Sequence, residues 1–170
     1  YIIAKCCASA LMLHPLVIGT FLGDKARTHH FVHIGVAVAL EDGLVTPIVR
    51  NCEQKGIGII NQELRDLVDR ARTRKLKPDE YQGATFTISN LGMFGVDEFA
   101  AIVNPPEGAI LAVGAIVEKP VVKNGQIVVG HSMRLTLSSD HRIIDGVIAA
   151  KFLQDLKKMI ENPASLVSIT

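Results

Sequence analysis

Residues 133–146 read MRLTLSSDHRIIDG, and residues 147–161 continue VIAAKFLQDLKKMIE. Apolar and polar residues alternate over 133–138, the period of a strand with one buried face. From Ile148 the period changes: Ile148, Phe152, Leu156, Met159 and Ile160 form a stripe at helical spacing, and Pro163 follows. Between the two lies Asp140-His141-Arg142-Ile143-Ile144-Asp145-Gly146, a turn closed by Asp-Gly. A strand that runs through a tight turn into an amphipathic helix points to an α/β or α+β fold.

The same reading extends upstream. Residues 109–117 are a near-continuous apolar strand, and Asn124-Gly125 sets a hairpin between 120–122 and 126–129. Residues 84–89 (ATFTIS) alternate as a strand that gives way to the glycine-broken loop Asn90–Gly95. Ile60, Leu64, Leu67, Val68 and Ala71 predict an amphipathic helix within 60–76, ended before Pro78. Residues 30–40 (HFVHIGVAVAL) predict a strand, Glu41-Asp42-Gly43 a turn, and Leu44–Val49 a second strand that Pro47 makes an edge or bulged one. Residues 2–13 read as the tail of a helix stopped by Pro15. No repeat and no linker interrupts this order, so residues 1–170 form one domain with a mixed sheet.

Composition narrows the function. Of the 170 residues 48% are hydrophobic and 21% charged, more apolar than the roughly 25% charge usual for soluble chains. Burial against other subunits or a covering segment would account for that excess. The net charge of +1, without a run of either sign, gives no nucleic-acid footprint and no polybasic membrane patch. No apolar run approaches the roughly 20 residues that span a bilayer. The start at Tyr1, directly in an apolar pattern, reads as an internal start rather than a signal peptide. Cys6, Cys7 and Cys52 form no CxxC and read as small buried hydrophobes in a reducing compartment.

Chemistry has few places to reside. His141 stands just past a buried strand, where such folds place reactive groups, and imidazole suits proton transfer near pH 7. Asp145, four residues on, can orient the turn; read alone, the same residues also fit a structural histidine and a helix cap. Ser89 and Asn90 end a buried strand beside glycines that let a ligand approach the backbone, or simply form a turn. Asp24-Lys25-Ala26 matches the tripeptide around a lipoylated lysine, but nothing here supplies the separate all-β domain that carries it. His29, His30 and His33 fall across a strand, where neighbours face opposite ways, so no metal site is expected.

Taken together, the segments resemble one family. DHRIIDG resembles the DHRxxDG signature of dihydrolipoamide acyltransferases, the core components of 2-oxo acid dehydrogenase complexes. HIGVAVALEDGLVTPIVRN and GATFTISNLGMFGVDEFAAIVNPPEGAILAVGAI also look like that family, in order, from about Ile34 to Leu166. The resemblance implies a chloramphenicol acetyltransferase-like mixed sheet with flanking helices, N-terminally truncated here, with the lipoyl and peripheral-subunit-binding domains absent. It implies homotrimers with active sites between subunits, assembled into a larger 24- or 60-subunit core with lipoyl domains and the dehydrogenase components. By position, His141 matches the general base and Asp145 the carboxylate that holds its loop. Ser89 matches the hydroxyl that stabilises the tetrahedral intermediate from the neighbouring subunit. Asn90, with Gly114 and Ile116, matches the coenzyme A site; coenzyme A is a substrate and the lipoyl group rides on a separate domain. The arginine that pairs with the carboxylate in relatives is not in this sequence, and residues 16–20 (LVIGT) lack the family's usual Asn. ISNLGMFG looks most like the pyruvate dehydrogenase members, which implies acetyl transfer. The 2-oxoglutarate and branched-chain acyl groups, a chloramphenicol-type O-acetyltransferase and a non-enzymatic core protein are the alternatives. The compartment implied is the cytoplasm of a bacterium or the mitochondrial matrix of a eukaryote.

Overall fold

A computed structural model of the chain describes residues 1–164. Leu166, where the resemblance ends, lies outside the described residues. Helix α1 (Ile2–Leu13) is buried along most of its length, with Cys6, Cys7 and Leu11 in the core, and Pro15 opens a short 3-10 turn behind it. Two short strands, β1 (Thr20–Phe21) and β2 (Ala26–Arg27), form a small hairpin.

The stretch expected as one strand over 30–40 is two. Strand β3 (Ile34–Val36) enters the main sheet, whereas β4 (Val38–Leu40) leaves it to pair with β5 (Gly43–Val45). The break falls at Ala37, whose N–H donates to Ile88 O while the chain turns away. Pro47 splits the next expected strand, and only β6 (Ile48–Val49) returns to the main sheet, at its edge. Helix α2 runs from Ile57 to Arg72, three residues earlier at its start than the apolar stripe implies. Its N-cap is Gly56, which offers no side-chain signal of a helix start.

Strand β7 (Phe86–Asn90) follows, and then β8 (Ala109–Lys123) and β9 (Gln126–Ser139), a single long antiparallel ribbon. Sequence periodicity divides this ribbon into shorter pieces. Asn124 and Gly125, with φ of 52° and 77°, turn it as a two-residue hairpin of right-handed strands requires. The sheet order is β6-β3-β7-β8-β9, with β3, β7 and β8 parallel and the two edge strands antiparallel. A bulge between Val113 and Ile116 divides the ribbon into a buried base and an exposed tip.

Helix α3 (Gly146–Glu161) closes the core with Phe152 and Leu156 fully buried. Phe152 meets Phe86 edge-on at 5.8 Å, an arrangement worth about 0.5–1.5 kcal/mol beyond burial, and so ties α3 to β7. One turn along α3, His14 Nε2 lies 3.0 Å from Asp155 Oδ2 and joins the end of α1 to the helix. The result is a mixed sheet with flanking helices.

Candidate active site

The Ser89 end is built by backbone. Ser89 sits on β7 between two parallel partners, opposite Ala112 of β8, which in turn faces Thr136 of β9. Ile88, Leu111 and Leu137 point toward the core, so alternation puts Ser89 on the other face with Thr87. Below it the Thr87 hydroxyl donates to Glu107 Oε2 (2.6 Å) and Asn104 Nδ2 donates to Oε1 (3.2 Å). Burial pushes the Glu107 carboxyl up, offset in part by those two donors.

The chain then turns sharply. Asn90 Oδ1 accepts the Gly92 N–H (2.9 Å), and Leu91 N–H donates to Val113 O. Glycine is required at two facing positions: a Cβ on Gly92 would stand 2.5 Å from Gly114 O, and one on Gly114 would strike the Asp97 carbonyl. Ser89, Asn90 and Gly114 are therefore brought together. Ile116 is not brought to them. The bulge returns it to the face of Met133 and Leu135, where it lines a groove of about 580 Å³ against Leu153 and Ile160 of α3.

The His141 turn is held differently. Asp140 N–H still donates to Gly108 O at 2.8 Å, and Asp140 O accepts from Ile143 and Ile144 to close the turn. Arg142 doubles back onto Asp140, with Nη2 2.6 Å from Oδ2 and Nε 2.9 Å from Oδ1. Those bonds hold the Asp140 carboxyl below the usual range. Asp145 is the N-cap of α3, its Oδ1 accepting from Ile148 N–H at 2.9 Å. Its carboxylate thus caps the helix that follows the turn and makes no ion pair among the described residues. His141 is exposed and has no hydrogen-bond partner among the described residues.

The two ends are far apart in one chain. Asp140 lies four residues beyond Thr136, about 13 Å along the strand, and two strand spacings, about 10 Å, across from β7. The turn is thus on the order of 15 Å from Ser89, beyond the reach of one side chain.

Two of the other histidines, His29 and His33, serve local structure. Thr20 Oγ1 and His29 Nε2 are 3.1 Å apart, and His33 Nδ1 accepts the Asn51 N–H at 3.1 Å. Burial, with Arg50 nearby, lowers the His33 pKa. Cys52 donates to Val49 O, and burial pushes its thiol up to about 12, an unreactive state. Sequence reasoning misses Phe21 and Arg142. The guanidinium stacks on the ring at 4.0 Å, a contact between distant positions that no local pattern announces.

This arrangement of sheet and helices is the fold of chloramphenicol acetyltransferase. One such structure superposes with a TM-score of 0.54 at 15% identity, over 92% of this chain and 75% of that one. More closely, the model of the catalytic domain of 2-oxoacid dehydrogenases acyltransferase matches residues 1–168, and the chain belongs to that family. A Rickettsia felis protein named as the dihydrolipoyllysine-residue acetyltransferase component of pyruvate dehydrogenase complex is 47% identical over 160 residues. That match covers 94% of this chain and 39% of the relative, so the chain spans about two-fifths of it. A Schizosaccharomyces pombe relative, named as the same component and mitochondrial, is 46% identical over 98% of this chain and 35% of its own length. The Azotobacter vinelandii dihydrolipoamide acetyltransferase superposes with a TM-score of 0.93 at 36% identity, over 97% of this chain and 69% of that one. A cubic core of a pyruvate dehydrogenase multienzyme complex gives the same values.

Proposed function

We propose that the full protein transfers an acetyl group between S-acetyldihydrolipoyl and coenzyme A in the core of a pyruvate dehydrogenase complex. One observation carries the reading: the turn around His141 is fixed on both sides while its ring has no partner among the described residues. A group that must take and return a proton needs that combination. The Azotobacter enzyme has been studied for the roles of one serine, one histidine and one asparagine in its mechanism, 52 and four residues apart. Ser89, His141 and Asp145 stand at the same spacing, with Asp145 in place of the asparagine.

The chemistry exchanges one thioester for another. Near pH 7 only a few per cent of a free thiol with pKa about 8.5 is thiolate. Neutral His141 takes the proton as the coenzyme A sulfur attacks the acetyl carbonyl, then returns it to the departing dihydrolipoyl sulfur. Ser89 donates to the oxygen on which charge develops. Asn90 and Gly114 line the coenzyme A side beside Ser89, whereas Ile116 faces the α3 groove and is left out of that site. With about 15 Å between Ser89 and His141 in one chain, a site that uses both draws them from two copies. A homotrimer, repeated into a 24- or 60-subunit core, supplies that pairing and buries the apolar excess, including the 71%-exposed Ile116 and the 91%-exposed Ile102. Lipoyl domains and the dehydrogenase components are its partners. The compartment is the cytoplasm of a bacterium or the mitochondrial matrix of a eukaryote.

The full-length protein mixed with dihydrolipoamide and acetyl-CoA should form S-acetyldihydrolipoamide. Faster transfer of succinyl or branched acyl groups would reassign the acyl specificity. No transfer of any acyl group would overturn the reading.

A further inference from the structure

We infer that Phe21 is a positioning residue for the His141 turn, acting through Arg142; this rests on His141 being the general base. Among the described residues, Arg142 makes its side-chain polar contacts with Asp140 alone. Its Nε lies 2.9 and 3.2 Å from the two Asp140 oxygens, Nη2 lies 2.6 Å from Oδ2, and its backbone N–H donates to Oδ1 at 3.0 Å. The edge of the guanidinium is thus spent on the carboxylate, and its Cζ lies over the Phe21 ring, 4.0 Å from the centroid. A planar cation can hold a carboxylate along its edge and an aromatic ring on its face at once, which an ammonium cannot.

Asp140 and Arg142 are the two chain neighbours of His141, so the clamp spans the residue that carries the chemistry. Phe21 itself belongs to a different part of the molecule, the β1–β2 hairpin. Two residues before it, Gly19 packs so closely that a Cβ there would stand 3.0 Å from Ile143 Cγ2, and a Cβ on Gly108 would strike the Gly19 carbonyl. The segment from Gly19 to Phe21 therefore seats the turn from beneath, at Ile143 and at Arg142 together. With no partner of its own among the described residues, the His141 ring takes its direction from this seat. Errors of an ångström in such a direction reduce turnover without weakening substrate binding.

The test uses the full-length protein with Phe21→Leu, Phe21→Trp and Arg142→Lys. Phe21→Leu keeps the bulk and removes the aromatic face; kcat should fall about 3–10-fold with KM for coenzyme A within about two-fold. Phe21→Trp should restore turnover. Arg142→Lys, which leaves the hairpin intact, should match the Leu variant. Amide hydrogen exchange at Arg142, Ile143 and Ile144 should quicken in the Leu and Lys variants and stay slow in the Trp variant. Unchanged kcat and unchanged exchange in Phe21→Leu would overturn the inference, as would a loss that Trp does not rescue. The exchange measurement needs no acetyl transfer. A wild-type protein without activity would therefore count against the function, and the exchange data would still decide the positioning.

Discussion

Ser89 and His141 lie at opposite ends of the same sheet and are fixed by opposite means. Ser89 is on a strand paired on both sides, and the loop after it passes so close to β8 that Gly92 and Gly114 meet backbone to backbone. His141 lies past the end of edge strand β9, in a turn secured by the Asp140–Arg142 ion pair, the Asp145 cap and the Phe21 face. The first is held chiefly by strand pairing and close backbone packing, the second chiefly by particular side chains added to its turn. The difference teaches where each half can fail: the Ser89 end through loss of space, the His141 turn through loss of partners.

The largest expected effects test whether both ends serve one reaction. His141→Ala should lower kcat roughly 10²–10⁴-fold with little change in coenzyme A binding. Ser89→Ala should lower it roughly 10²–10³-fold at nearly fixed KM. If the site forms between copies, mixing the two inactive proteins under conditions of subunit exchange should restore part of the activity. Exchanged assemblies that stay inactive would show that the residues do not act across an interface.

Glycine substitutions then sharpen the contrast between space and partners. Gly114→Ala drives a methyl group into the Asp97 carbonyl and should cost about 2–4 kcal/mol, read as a lower unfolding midpoint. Gly146→Ala, at the first position of α3 with open space around its Cβ, should be neutral or stabilise by up to about 1 kcal/mol. Equal losses at the two sites would break the comparison.

The smallest effect is a pair of opposite pH slopes. Glu107 beneath Ser89 is raised from 4.5 by burial, so the stability linked to it is complete below that value. It declines as pH rises through the folded-state pKa. Asp140 beside His141 is lowered from 3.8 by Arg142, so its contribution is present above that value and is lost as pH falls through the folded-state pKa. Glu107→Gln should therefore flatten the decline of stability above about pH 4.5 and leave the acid limb unchanged, as measured by denaturant unfolding across pH. A Gln variant with the wild-type slope would remove Glu107 as its source.

The His141 end of the chain was readable in the sequence because that end is local. The alternation of residues 133–138, the Asp140–Gly146 turn and the helix stripe from Ile148 to Ile160 are each set by neighbours in the chain, and each stands in the structure. The full length of the β8–β9 ribbon escaped because its tip exposes apolar residues such as Val122 and Ile127 instead of alternating them inward. The break at Ala37 escaped because a bond to Ile88 on a distant strand decides it. For the site, family resemblance pointed to Ser89, Asn90, Gly114, Ile116, His141 and Asp145, of which Ile116 stands apart, facing the α3 groove. The seat of the turn at Gly19 and Phe21 is a contact between remote segments, which neither periodicity nor motif encodes.

The separation of Ser89 from His141 has a consequence for gene dosage. Where sites form between neighbours, each chain lends its serine to one site and its histidine to another. A chain defective in one residue spoils one site, so an equal mixture with normal chains keeps about half of its sites. A chain defective in both spoils the sites on either side of it, and the same mixture keeps only about a quarter. The same lesions divided between two alleles also leave about a quarter, since each site then needs its serine from one kind of chain and its histidine from the other; two alleles that are inactive alone thus complement to that level.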